Sequence, residues 1–314
     1  MSYPMKIVRG FEDPDSYQGG YVAIGNFDGV HRGHQCMIAT LVARARTSEV
    51  PAVVFAFDPH PIELLSPAHA PPSLSTLSQK AELLAACGVD CTIAYPTDDW
   101  LLELSAREFF DRIVCGELRA RGLVEGPNFF FGRNREGDVE TLAEFCTSGG
   151  LSLDVVKPVM SGNDLVSSST IRSRLAAGDV RRATELLGHR YAVQGLVERG
   201  AGRGRTIGFP TANVGGVKTL LPAQGVYAGI ARVGGSCYTA AINLGPNLTF
   251  GEQSVKFEVY LDEFDGDLYG TDLIVEFVDR VRDVRVFADV QQLTSQLAVD
   301  LEAVRECLAI ADGK

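Results

Sequence analysis

Two histidines, His31 and His34, stand three residues apart in the string Gly25-Asn26-Phe27-Asp28-Gly29-Val30-His31-Arg32-Gly33-His34. The run before it, Tyr21-Val22-Ala23-Ile24, reads as a buried strand, and residues 34–47 read as a helix. Such a junction offers free backbone N–H groups and the positive end of a helix dipole, a ready anion site. Gly29 and Gly33 let backbone come close to a ligand, and an i,i+3 spacing lets both imidazoles point the same way. The string holds no nucleophile of its own. It suits a reaction in which one bound phosphate attacks another while the protein positions and neutralises. Taken alone, a histidine pair at a helix start also fits two ordinary surface side chains.

Glu258 is the second candidate. In Val255-Lys256-Phe257-Glu258-Val259-Tyr260-Leu261, strict alternation puts Val255, Phe257, Val259 and Leu261 on one face. Lys256, Glu258 and Tyr260 fall on the other, where a glutamate is most often simply solvated. Residues 200–205, Gly-Ala-Gly-Arg-Gly-Arg, look at first like a dinucleotide fingerprint. They fail that test, because position 205 is Arg where Gly belongs and Pro210 follows in place of a helix.

These groups must be positioned by two differently built halves. Up to about residue 187, short apolar runs alternate with helix-like stretches: strands at 50–57, 89–95, from 123, and 151–158, and helices at 79–87, 105–121 and 139–147. Ser105 with Glu108 forms a capping box for the third of these helices, counting from residue 34. This alternation predicts a Rossmann-like parallel sheet covered by helices, with ligands at the carboxyl ends of the strands. After residue 190 the strands 191–198, 226–233, 236–244, 254–261 and 273–278 follow one another across glycine-rich turns with no helix between them. Five or six such strands predict a small antiparallel β-barrel. A last amphipathic helix, Val290–Ala311, carries Leu293, Leu297, Leu301, Val304 and Leu308 at helical spacing. The expected domains are residues 1–187 and 188–314.

A chain of 314 residues with 46% hydrophobic and 22% charged residues is ordinary for a two-domain globular protein. A net charge of −11 argues against a nucleic-acid partner. It leaves room for a small phosphorylated ligand, since local groups decide that case. The apolar runs are too short to span a bilayer, so no membrane association is expected and a cytoplasmic location is the default. The seven cysteines form no CxxC pair, which disfavours a metal or disulfide role.

The histidine string resembles the nucleotidyltransferase superfamily. Asp58-Pro59-His60-Pro61 after the second strand and Ser167-Ser168-Ser169-Thr170-Ile171-Arg172 narrow the likeness. Together they resemble the FAD synthetase half of bacterial bifunctional riboflavin kinase/FMN adenylyltransferases. The resemblance implies that FMN phosphate attacks the α-phosphorus of ATP, giving FAD and pyrophosphate. His31 and His34 would then be catalytic, with Gly25, Asn26, Phe27, Asp28, Gly33, Ser168, Ser169 and Arg172 around ATP and its phosphates. The serines could equally be a plain helix cap. Asp58, Pro59, His60, Asn128, Phe129 and Arg135 would lie on the flavin side. Asn128 stands where family members often have an acid, and the aromatic run 129–131 could stack on a ring or merely pack.

In the second half, Gly208-Phe209-Pro210-Thr211-Ala212-Asn213 is similar to the family's riboflavin kinase motif. The resemblance implies Gly208 and Pro210 at ATP, Thr211 and Asn213 on Mg²⁺ with the ATP phosphates, and Glu258 as the base for the riboflavin 5′-hydroxyl. Asp262-Glu263 departs from the family pattern, and a carboxylate at 262 would be costly if buried. The implied partners are riboflavin, FMN, FAD and ATP, with the chain a monomer or weak homo-oligomer. Two other readings remain: an enzyme with only one active half, and a flavin-binding regulatory or storage protein.

Overall fold

The structure is a computed structural model that describes residues 5–200, 202–247 and 254–311. The chain divides into two compact units: residues up to 72 with 76–166, and residues 73–75 with those from 167 onward.

The first unit alternates strand and helix. In chain order it comprises β1 (Lys6–Arg9), β2 (Tyr21–Gly25), α1 (Arg32–Thr47), β3 (Ala52–Phe57), α2 (Pro61–Leu65), α3 (Leu77–Ala86), β4 (Cys91–Tyr95) and α4 (Asp99–Glu103). There follow α5 (Ala106–Phe109), β5 (Gly122–Glu125), α6 (Val139–Gly149), β6 (Ser152–Val155) and the short pair β7 (Met160–Ser161) and β8 (Asp164–Leu165). Six parallel strands pair in the order β1-β4-β3-β2-β5-β6. Both sheet faces are covered. Tyr21, Ala23 and Val54 pack against Ile38 and Leu41 of α1 and Leu84 of α3. Val22, Ile24 and Phe55 pack on the other side with Phe109, Phe110 and Leu142. Strands buried on both faces read as continuous apolar runs, which is why they were legible. The Ser105–Glu108 capping box forms as expected. Beyond Phe109 the helix continues in wider π-type turns to Glu117, stopping short of 121.

The second unit begins with α7 (Ser168–Ala176) and α8 (Val180–Leu187), then β9 (Tyr191–Glu198), α9 (Arg203–Thr206), β10 (Thr211–Gly215), β11 (Gly225–Val233), β12 (Ser236–Pro246), β13 (Val255–Leu261), β14 (Asp272–Arg282) and α10 (Val290–Ala311). Six strands close into a barrel in the order β10-β13-β12-β11-β14-β9. Its interior is filled by side chains such as Val193, Tyr227, Val259 and Phe277. The compact units divide between 166 and 167, ahead of the 187/188 boundary read from the sequence, because α8 packs on β9 and β14. Two elements correct the sequence reading. A four-residue helix, α9, interrupts the strands, and β10 is a strand where only a motif was read.

Candidate active sites

The turn between β2 and α1 is tightly wound. Phe27 and Val30 hold positive φ values of 47° and 37°, conformations that non-glycine residues seldom adopt. Gly29 takes φ 74°, and Gln35 Nε2 pins the turn by donating to the Val30 carbonyl at 2.8 Å. His31 is the N-cap of α1, its Nδ1 accepting the His34 N–H at 3.3 Å. The two imidazoles stack with centroids 3.6 Å apart and planes 15° from parallel. A side chain on Gly33 would bring its Cβ within 3.1 Å of the His31 ring, which would have to give by a few tenths of an ångström. His34 Nδ1 is enclosed without a hydrogen-bond partner, as is Asn26 Oδ1. Burial, then His31 and Lys80, hold the His34 pKa well below the usual imidazole range. Its surroundings thus favour the neutral imidazole. Phe27 is 1% exposed and packs its ring against His34, so its side chain supports the imidazole from the core.

His60 adjoins this turn, its Nε2 hydrogen-bonded to the Asn26 amide at 2.9 Å. It also caps α2, Nδ1 accepting the Ile62 N–H. Asp58 and Pro59 precede it directly after β3, where the Asp58 N–H donates to the Tyr95 carbonyl. The aromatic run splits by role. Phe131 is core, Phe129 stacks on it at 5.5 Å, and Phe130 is exposed under the Arg135 guanidinium at 4.5 Å. Asn128 and Arg135 are exposed on that loop. Ser168, Ser169 and Arg172 lie on α7 in the second unit, and Ser167 caps that helix by accepting the Thr170 N–H.

The strand order reverses between β2 and β5, the crevice where open α/β sheets bind ligands. Pairing of β2 with β5 runs only through Val22 and Leu123, whereas β2 follows β3 as far as Gly25. The gap holds Glu125, 1% exposed, whose Oε1 accepts the Ile24 N–H at 2.8 Å. Burial raises its pKa well above the usual carboxylate range, and the Ile24 bond offsets this only in part. The folded state thus retains a proton that the unfolded chain releases above about pH 4.3, so this group's contribution to stability falls as pH rises. Glu125→Gln, neutral at every pH, is expected to melt higher than the parent at pH 7.5. The two melting curves should converge as pH drops toward 4. Equal melting temperatures across that range would show that the carboxyl carries no burial cost.

In the second unit, alternation along β13 buries Phe257, Val259 and Leu261 in the barrel, while Val255 at the strand start is exposed. Lys256, Glu258 and Tyr260 face outward into a cavity of about 180 Å³. Glu258 is centred between Asn213 of β10 and Asn243 of β12, its register partners on either side. Asn243 Nδ2 donates to one carboxylate oxygen at 3.4 Å and Asn247 Nδ2 to the other at 3.2 Å. Thr211 and Asn213 share the cavity-facing side of β10. A Cβ on Gly200 would fall 2.2 Å from the Asn213 amide, so backbone lies directly against it. Gly208, at φ 83°, and Pro210 lead into that strand.

The opposite wall is apolar. Leu293, Leu297 and Leu301 of α10 line the cavity with Phe287, while Val304 and Leu308 further along seat the helix on the barrel. The sequence treats all five as one packing stripe; only the second half of the helix uses it that way. Asp300, 2% exposed, accepts both Nε and Nη2 of Arg282 and fastens α10 at the cavity rim. Asp262, the departure from the family pattern, is paired bidentately with Arg305 of α10, so its carboxylate is not stranded. Asn243, Asn247, Arg282 and Asp300 were not singled out from the sequence. Asn243 could have been found opposite Glu258 once β12 and β13 were aligned.

Comparison with known proteins finds two family matches in succession along the chain. The FAD synthetase family model matches residues 13–170 and the riboflavin kinase family model residues 187–308. The bifunctional riboflavin kinase/FMN adenylyltransferase of Escherichia coli K12 is 34% identical over 305 residues, 96% of this chain and 97% of its own length. That of Pseudomonas fluorescens is 36% identical, covering 97% and 98%. A crystal structure described as a macrolide-efflux protein from Streptococcus pneumoniae superposes with a TM-score of 0.85 at 30% identity, covering 96% of this chain and 99% of that one. No helix among the described residues here is long and apolar enough to cross a membrane. Two family models in order, joined to full-length relatives above 30% identity, leave one conclusion: the chain belongs to the bifunctional riboflavin kinase/FMN adenylyltransferase family.

Proposed function

We propose that the two reactions are divided between the two sites, riboflavin phosphorylation at the barrel cavity and FMN adenylylation at the N-terminus of α1. In the cavity, the apolar wall from α10 accepts the flat isoalloxazine and the polar wall receives the ribityl chain and ATP. Glu258 takes the proton of the 5′-hydroxyl as its oxygen attacks the γ-phosphorus, the bond to ADP breaks, and FMN forms. Asn243 and Asn247 orient the carboxylate for that transfer. Thr211 and Asn213 would hold Mg²⁺ with the ATP phosphates; two neutral oxygen donors suit a hard cation already ligated largely by phosphate. When bound, that ion would draw off charge as the phosphoryl group moves.

At α1, an FMN phosphate oxygen attacks the α-phosphorus of ATP, the bond to the β-phosphate breaks, and pyrophosphate leaves. The backbone N–H groups of the first turn, His31 and neutral His34 donate to the phosphoryl oxygens. Asp58, His60, Asn128, Phe129 and Arg135 serve the flavin side. Seven unpaired cysteines support a cytoplasmic setting.

The observation that carries this reading is the Glu258 carboxylate held between asparagines on neighbouring strands, facing an apolar wall. Purified protein given riboflavin and MgATP, with flavins resolved by chromatography, should accumulate FMN and then FAD. FMN alone would mean a lone kinase, FAD only from added FMN a lone adenylyltransferase, and unchanged riboflavin a binding protein.

A further inference from the structure

The chemistry at α1 requires positive charge, yet the imidazole best placed to supply it is kept neutral. Lys80 sits in the first turns of α3, which packs on the 28–30 turn leading into α1. It is 9% exposed, an uncommon state for a lysine, and no hydrogen bond or ion pair to its ammonium is found among the described residues. Three carboxylates on separate elements act on it from a distance: Asp28 in the turn, Asp58 after β3 and Glu63 on α2. It also acts on His34, whose Nδ1 is enclosed and unpartnered. A buried ammonium without a close counter-ion costs several kcal/mol in general, and an arriving anion offsets that cost. Asn26 Oδ1, in the turn leading into α1, is likewise enclosed without a partner.

We propose that Lys80 is a phosphate-binding residue of the adenylyl-transfer site, its ammonium meeting phosphoryl oxygens beside His34 and the N-terminus of α1. The carboxylates hold the side chain charged and aimed; the phosphoryl group completes its coordination. Division of labour follows. The histidines and backbone N–H groups supply directional hydrogen bonds, and Lys80 supplies the full positive charge that builds value as charge grows on the transferring phosphorus. Phosphoryl oxygens reach the site from two sources, ATP and FMN, and the kinetics tell them apart.

This rests on the assignment of adenylyl transfer to α1. The test is Lys80→Met, which keeps the length and apolar stem and removes the charge, with Lys80→Arg beside it. Each is assayed for FMN-to-FAD conversion, with riboflavin-to-FMN conversion by the same polypeptide as the internal control. Lys80→Met should lose roughly 10²–10³-fold in FAD synthesis, the scale of one well-placed transition-state donor, with the kinase unaffected and the melting temperature not lowered. Lys80→Arg should recover part of the loss. A rise in KM for ATP, with weaker pyrophosphate binding by calorimetry, assigns the lysine to the nucleotide; a rise in KM for FMN assigns it to the flavin phosphate. FAD synthesis by Lys80→Met less than about tenfold below the parent, or a loss accompanied by a lowered melting temperature and a failing kinase, overturns the proposal. Loss of FAD synthesis in His31→Ala with none in Lys80→Met sinks the lysine alone; no loss in either sinks the site assignment.

Discussion

Glu258→Gln should stop FMN formation while leaving FMN-to-FAD conversion unchanged. Glutamine has nearly the same shape and still presents an oxygen to the Asn243 or Asn247 amide, now 3.4 Å and 3.2 Å from the carboxylate. What it lacks is a site for the hydroxyl proton. Base catalysis of this kind contributes roughly 10²–10⁴ in rate, so the kinase should fall by that range in kcat with little change in riboflavin KM. The substitution lies on the outer face of β13 and removes no buried apolar contact, so stability should hold. The measurement is initial-rate flavin chromatography, once from riboflavin and once from FMN. A kinase within about tenfold of the parent would return Glu258 to the role of a solvated strand residue.

His31→Ala should do the converse. Two things are lost together: the cap that accepts the His34 N–H, ordinarily worth about 1 kcal/mol, and an imidazole at the phosphate site. Removal of the second should lower FAD synthesis by roughly 10²–10³. His31→Asn separates the effects, because asparagine is a strong N-cap but cannot stack on His34 as the imidazole does at 3.6 Å. Its melting temperature should return to that of the parent while FAD synthesis stays low. If His31→Asn regains full adenylylation, the histidine merely caps α1. The kinase of both variants should be unaltered.

Several features were open to reading from the chain alone. β2, β3 and β4 are apolar on both faces, and the alternation of strands with helices specifies a parallel sheet whatever the details. The Ser105–Glu108 box is local chemistry, complete within four residues, and it forms. Phe257, Val259 and Leu261 alternate with Lys256, Glu258 and Tyr260, and a period of two needs no distant information. Other elements carried too little signal. β1 buries only Val8 among charged and exposed neighbours, and β10 offers only Ala212 and Val214 to the barrel interior. Such strands exist because neighbouring strands supply their hydrogen bonds, and sequence patterns do not record neighbours.

The amino-acid order by itself determined the two architectures, their succession, and the motifs at strand ends and on strand faces, because these follow from short-range periodicity and capping. Tertiary structure decided which charges lose their water. Lys80 looks like any solvated helix lysine until α3 is laid on the turn before α1, and Glu125 like any strand-end acid until β2 and β5 part around it. Leu293, Leu297 and Leu301 are indistinguishable from core leucines until α10 lands with half its length on the barrel and half over a cavity. Desolvation depends on everything within a few ångströms, and those neighbours come from residues far apart along the chain.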